Sequence, residues 1–224
     1  MIEKNDSDRG LIEKGLRQLN ERSPDLFFPE SGFFDAVGTY LDELQLWNRR
    51  VRLISGDRND IIVRHLFDSL AAYPVFRSMD IKVLADVGSG NGFPCLPLAL
   101  IDGTLRCSMI ERGAKKAAFL RNTVSLLGLA DRTEVLETDV TLLDKRFPLV
   151  MSRAFMPIHK ALPLLRKGAG KTAVIVFFAG TRERIDAELT LMREEKKYQT
   201  TEPEIIPLHV PFLHEERHLC IFRP

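Results

Sequence analysis

The stretch VLADVGSGNGFPCLPLAL, Val83 to Leu100, constrains the fold more than any other part of this chain. A near-continuous apolar run over 81–87 leads into glycines at 88, 90 and 92, and a second apolar run follows over 93–101. A short apolar run closed by glycines reads as a strand buried on both faces, and strand, tight turn and helix in succession open an α/β unit. The glycines permit backbone angles that other residues resist, and they let a ligand approach bare backbone. In an open parallel sheet, ligands bind beyond the carboxyl ends of the strands, where the strand order reverses.

The rest of the chain has room for that fold. Its 224 residues suffice for one sizeable α/β domain, or for such a domain with an extension. Beyond residue 81 the pattern predicts strands over 81–87, 105–111, 132–138, 147–154 and 171–178. Helices are expected over 93–101, 114–129 (closed by Gly128), 158–167 and 181–197. Two terminal strands, 201–210 and 216–223, have no helix between them. They predict a hairpin, one strand of which runs antiparallel at the sheet edge. The expected fold is therefore a Rossmann-like, mostly parallel seven-stranded sheet with a C-terminal antiparallel hairpin. Residues 1–80 read as helical. Ser31 is the expected cap of a helix carrying Phe33, Phe34, Val37, Tyr40, Leu41, Leu44 and Trp47. Asp60 is the expected cap of a second helix, which Pro74 ends. No flexible linker follows, so 1–80 is read as a helical extension packed on a single core unit, 81–224.

Glu111 lies at the end of the second strand, twenty-five residues beyond Asp86. An acid there accepts hydrogen bonds from both hydroxyls of a ribose, which predicts an adenosine-type cofactor. The spacing around Asp86, Gly88, Ser89, Gly90 and Gly92 is D-x-G-x-G-x-G. It differs from the G-x-G-x-x-G of dinucleotide sites, and no G-x-x-x-x-G-K-[ST] is present to cradle ATP. It is similar to the first motif of class I methyltransferases, which use S-adenosylmethionine. Cys95, Cys107 and Cys220 are far apart and form no C-x-x-C, so neither a metal site nor a disulfide framework is expected. With no bilayer-length apolar run and no secretory h-region, the expected location is cytoplasmic, away from membranes. A formal net charge of +1 does not announce a nucleic-acid partner. Any such contact has to come from local groups, of which Arg49, Arg50, Arg52, Lys115, Lys116 and Arg121 are candidates.

LWNRRVRLIS, RHLFDSL, DVGSGNGFPCLPLAL, KAAFLRNTV and SRAF occur in that order between Leu46 and Gly180. In this the chain resembles the bacterial glucose-inhibited division protein B family, which methylates N7 of one guanine in 16S ribosomal RNA. The resemblance implies S-adenosylmethionine as cofactor. It implies cofactor contacts at Gly88, Phe93 and Glu111, at the backbone of Val140 and Thr141, and at Arg153. It implies 16S rRNA as partner, within the 30S subunit or an assembly precursor; the chain itself is expected to act as a monomer. The chain departs from the family at Val140-Thr141, where Ala-Glu is usual, and Asp139 is the candidate replacement acid. It departs also at Cys95 (usually Gly), Ala179 (usually Lys) and Arg52 (usually Asn).

Guanine N7 carries an in-plane lone pair and no proton, so its methylation requires alignment and no general base. The fourth strand accordingly ends in Ser152-Arg153-Ala154-Phe155 and not in the Asn-Pro-Pro-Tyr expected for an exocyclic amine. No residue is assigned as catalytic. Arg153 and Arg121 are expected to position the substrate or its phosphates. His65 and Asp68, three apart on a helix, are expected to bond each other or a phosphate. Phe155 is expected to stack on a flipped base. Two rival functions fit the same fold: a small-molecule methyltransferase, and a non-catalytic RNA-binding module.

Overall fold

The computed structural model describes residues 2–24, 29, 32–194 and 202–224. Helix α1, Ile2–Arg22, precedes α2, Phe33–Asn48. Helix α2 starts after Gly32, at φ 99°, and the expected cap Ser31 lies outside the described residues. Its stripe Phe33, Val37, Tyr40, Leu41 and Leu44 is buried. The next helix, α3, Arg58–Ile61, starts at Asp57 and not at Asp60. The two aspartates form a reciprocal capping box: Asp57 accepts from Asp60 N at 2.9 Å and Asp60 accepts from Asp57 N at 3.2 Å. The chain then widens into a π turn, Ile62–Leu66, and continues as α4, Phe67–Ala71, and α5, Tyr73–Ser78. Pro74 does not end this segment. It lies in the first turn of α5, where a proline's missing N–H costs nothing. The buried guanidinium of Arg58 binds Asp8 of α1 and Asp42 of α2, fastening three helices together.

Among the described residues, seven strands form one sheet in the order β3-β2-β1-β4-β5-β7-β6. They are β1 Val83–Val87, β2 Arg106–Ile110, β3 Thr133–Leu136, β4 Phe147–Arg153, β5 Ala169–Ala179, β6 Glu204–Leu208 and β7 Arg217–Phe222. The first five are parallel; β7 pairs antiparallel with both β5 and β6. The antiparallel strand is thus an interior one, and the edge belongs to β6. Composition explains the inversion. Leu219, Cys220, Ile221 and Phe222 are all buried, as an interior strand requires, while β6 is only partly buried and carries Pro207, which an edge tolerates.

Helices α6, Cys95–Ile101, and α7, Ala114–Leu126, cover one face, and α8, Ile158–Gly168, and α9, Arg182–Glu194, the other. Tyr40, Phe67, Leu96 and Phe119 belong to the first core, with α1, α2 and α4 built into it. Leu162, Leu165, Ile185 and Leu189 pack on Ala85, Val87 and Val150 in the second. The strand order reverses between β1 and β4, which opens a crevice at their carboxyl ends.

Candidate functional site

The first turn after β1 builds one wall of that crevice. Gly88, at φ 76°, and Ser89 both donate to Ile110 O, at 2.9 and 3.3 Å. Glu111, at the end of β2, is nearly buried, and its carboxylate is gripped at both ends. Oε2 accepts from Gly90 N at 3.0 Å and Oε1 from Gly113 N at 2.7 Å. Each oxygen keeps a further lone pair. The carboxylate borders a cavity of about 230 Å³ together with Gly88, Ile110, Lys116, Asp139 and Val140. Two acceptors fixed side by side in a cavity beyond β1 and β2 fit the adjacent hydroxyls of a ribose.

The predicted cofactor residues do not all face this cavity. Val140 lines it, but Thr141 does not: its N–H and hydroxyl are both taken by Asp139 Oδ1, at 2.9 and 2.8 Å. Asp139 does border the cavity, with one oxygen spent on Thr141. Ser89 donates to Asp86 O at 2.8 Å and is buried. A Cβ on Gly92 would lie 2.5 Å from Leu96 and 2.9 Å from the Tyr40 hydroxyl, so that glycine serves packing. Phe93 is buried between Tyr40 and His65, with ring centroids 5.0 and 5.4 Å away. Of the three glycines, Gly88 borders the cavity, while Gly90 holds the Glu111 carboxylate through its N–H. Even Gly88 is covered, since a Cβ there would meet the ring of Phe155 at 2.5 Å. That ring has to give way wherever a ligand lies against Gly88.

Asp86 sits beneath the turn with its Oδ2 buried and unpartnered among the described residues. Burial pushes its carboxyl up to about 7; Arg153 opposes the rise and Glu111 adds to it. The folded carboxyl therefore holds its proton well above the unfolded value of about 3.9. The contribution of this group to stability falls as pH rises from about 4 through 7 and levels off above that. Asp86→Asn, which mimics the protonated acid, is expected to raise the urea midpoint of the cofactor-free chain little at pH 5 and much more at pH 8. The difference should approach about 2–3 kcal/mol. An offset that does not change with pH would contradict this.

The end of β4 forms the opposite wall. Ser152 Oγ donates to Val87 O at 3.0 Å, joining β4 to β1. Arg153 is largely buried, its Nε 2.9 Å from Asp68 Oδ2, and Nη2 reaches Arg64 O at 2.8 Å and His65 Nδ1 at 2.7 Å. His65 and Asp68 therefore meet through Arg153 and not directly, because the guanidinium lies between them. Burial, reinforced by Arg153, pushes His65 down to about 3, so the imidazole is neutral and its Nδ1 accepts. Burial pushes the Asp68 carboxyl up, with Arg153 and Arg217 opposing it. The carbonyl that seats Arg153 belongs to the π turn, a feature that recurs at functional sites.

Ala154 follows at φ 51°, a conformation that costs a non-glycine residue about 1–3 kcal/mol. It places Phe155 over Gly88, where the ring separates the smaller cavity from a second one of about 490 Å³ beyond β4 and β5. Arg121 is outside both: it lies half-exposed on α7 and pairs with Glu137 at 2.7 Å. Arg49, Arg50, Arg52 and Lys115 are exposed, while Lys116 turns out to border the smaller cavity. The sequence reading missed Arg184, Glu188 and Arg217, which line the larger one. They come from α9 and β7, and no local motif ties them to β4.

A family model described as rRNA small subunit methyltransferase G matches residues 35–220. A protein named ribosomal RNA small subunit methyltransferase G from Treponema pallidum (strain Nichols) is 34% identical over 186 residues, covering 80% of each chain. One of the same name from Treponema denticola is 29% identical and covers 99% of this chain and 96% of its own. Among solved structures, an O-methyltransferase from Bacillus cereus in complex with SAH superposes with a TM-score of 0.57 over 92% of this chain and 97% of its own. At 14% identity that likeness speaks for the fold alone.

Proposed function

The chain belongs to the rRNA small subunit methyltransferase G family, and from that premise we propose that it transfers a methyl group from S-adenosylmethionine to N7 of a guanine in 16S rRNA. The observation that carries the reading is the doubly held carboxylate of Glu111 beside the β1–β4 crevice. In this reading Glu111 receives the ribose hydroxyls, Val140 backs the adenine, and bare backbone at Gly88 and Gly90 admits the rest. The sulfonium supplies an electrophilic methyl group.

The protein's share of the chemistry is placement. The titratable groups at the end of β4 are already committed, His65 to Arg153 and Asp68 to Arg153 and Arg217. That leaves no poised base beside the crevice among them, and an N7 acceptor needs none. Arg153 fixes the floor on which the base is presented. Helix α2 acts as a brace, since Tyr40 holds the turn by donating to Asn91 O at 2.6 Å. The RNA substrate is a folded 30S particle or its precursor, met by one copy of the chain. A near-neutral protein relies on a structured partner to gather enough phosphate contacts.

Radiolabelled S-adenosylmethionine, offered with 30S subunits from cells lacking the modification or with their deproteinised rRNA, tests this. Label is expected in the particle at least about tenfold faster than in naked rRNA, and at low salt more than at high. Equal labelling of naked rRNA would overturn the particle requirement. Absence of label from both would overturn the proposed substrate.

A further inference from the structure

The larger cavity holds charged groups that the cofactor reading does not use. About 490 Å³ in volume, it has Phe155, Phe177, Phe178 and Ile185 as apolar walls, which suit a planar base. Of its two carboxylates, Asp68 is consumed, with Arg153 Nε at 2.9 Å and Arg217 Nε at 3.6 Å. Glu188 is different. Its Oε2 accepts from Ile158 N at the start of α8 and lies 3.8 Å from His159 Nδ1. Its Oε1 has no partner among the described residues, and the side chain is 24% exposed. One half of the carboxylate is thus anchored by a backbone amide, and the other is unpaired in a residue that lines the cavity.

We infer that Glu188 is the specificity-determining residue for the acceptor base, selecting guanine by accepting hydrogen bonds from its Watson–Crick edge. The inference rests on the guanine-N7 reading above. Guanine presents N1–H and N2–H side by side on that edge, whereas adenine presents an acceptor at N1. A carboxylate satisfies the first pair and repels the second. That edge is opposite N7, so a base held by Glu188 directs N7 away from α9. Charge strengthens the selection. As the N7 lone pair forms the new C–N bond, the C–S bond breaks and its electron pair passes to sulfur. No proton leaves, and the purine becomes cationic, so its N1–H becomes a better donor. A fixed carboxylate at that edge gains more in the transition state than in the ground state.

The test uses reconstituted 30S particles whose target guanine is replaced by inosine, which keeps N7, O6 and N1–H and lacks only the 2-amino group. With the wild-type chain, kcat/KM is expected to fall about 10- to 100-fold on inosine. Glu188→Ala is expected to lose a comparable factor on guanine and to show little further loss on inosine. Glu188→Gln retains an acceptor for Ile158 N and keeps the fold, and is expected to lose the same discrimination. Cofactor affinity, measured by calorimetry, should match wild type in both variants. Variants that discriminate guanine from inosine as well as wild type does would overturn the assignment while leaving the N7 reading intact, as would a wild-type chain indifferent to the 2-amino group. A wild-type chain that methylates neither particle would overturn the guanine-N7 reading and this inference together.

Discussion

Gly88→Val is expected to abolish cofactor binding, weakening the affinity by more than about 100-fold. Two costs add. Gly88 stands at φ 76°, where a β-branched residue is a steric outlier. A Cβ there would also lie 2.5 Å from Cδ2, 3.0 Å from Cγ and 3.2 Å from Cβ of Phe155. The overlap runs from the ring down to the Phe155 Cβ, so turning the ring aside relieves only part of it. The double variant Gly88→Val/Phe155→Ala separates the costs. Removing the ring relieves the overlap and recovers part of the thermal stability, but the valine still occupies the approach to the turn, so calorimetry should still detect no cofactor. Wild-type affinity in either variant would show that the turn does not bear on the ligand.

The second large effect is expected at Glu111→Gln, although the two side chains have nearly the same shape. Each oxygen of Glu111 faces a backbone N–H, that of Gly90 or that of Gly113. A glutamine can satisfy only one and must aim its own NH₂ at the other. Leaving a donor unsatisfied in a nearly buried site costs about 1–3 kcal/mol, and the same change removes one acceptor for a ribose hydroxyl. The expected outcome is a cofactor affinity lower by about 100-fold or more, with a modest loss of thermal stability in the free chain. A variant that binds the cofactor normally would leave Glu111 with a purely structural role as a clamp between the two turns.

Some of this architecture is legible in the sequence because it is local. The glycine turn, the alternation of apolar runs with amphipathic helices, and the acid at the end of β2 each announce themselves within a few residues. Boundaries are less so: Asp60 reads as a cap because it precedes the apolar stripe, yet Asp57 occupies that position and Asp60 answers it from the third helical residue. Pro74 reads as a stop, but α5 begins around it. The interior place of β7 follows from pairing with β5, 40 or so residues away, which no local pattern encodes. The same distance hides the larger cavity. Arg217 reaches Asp68 only after β7 inserts beside β5, and Glu188 meets Ile158 only when α9 packs against α8. His65 and Asp68 were visible as a pair, but the guanidinium that joins them comes from β4. Among the glycines, spacing could not say that Gly92 faces Tyr40 and Leu96, or that Phe155 covers Gly88.

The position and chemistry of the transferred methyl group bear most directly on the proposed function. After incubation of unmodified 30S subunits with the chain and S-adenosylmethionine, the 16S rRNA is treated with borohydride and aniline, which break the strand at N7-methylguanine. One new break is expected, at a single guanine, that depends on both the chain and the cofactor. Methylated rRNA that resists the treatment, or breaks spread over many guanines, would contradict it.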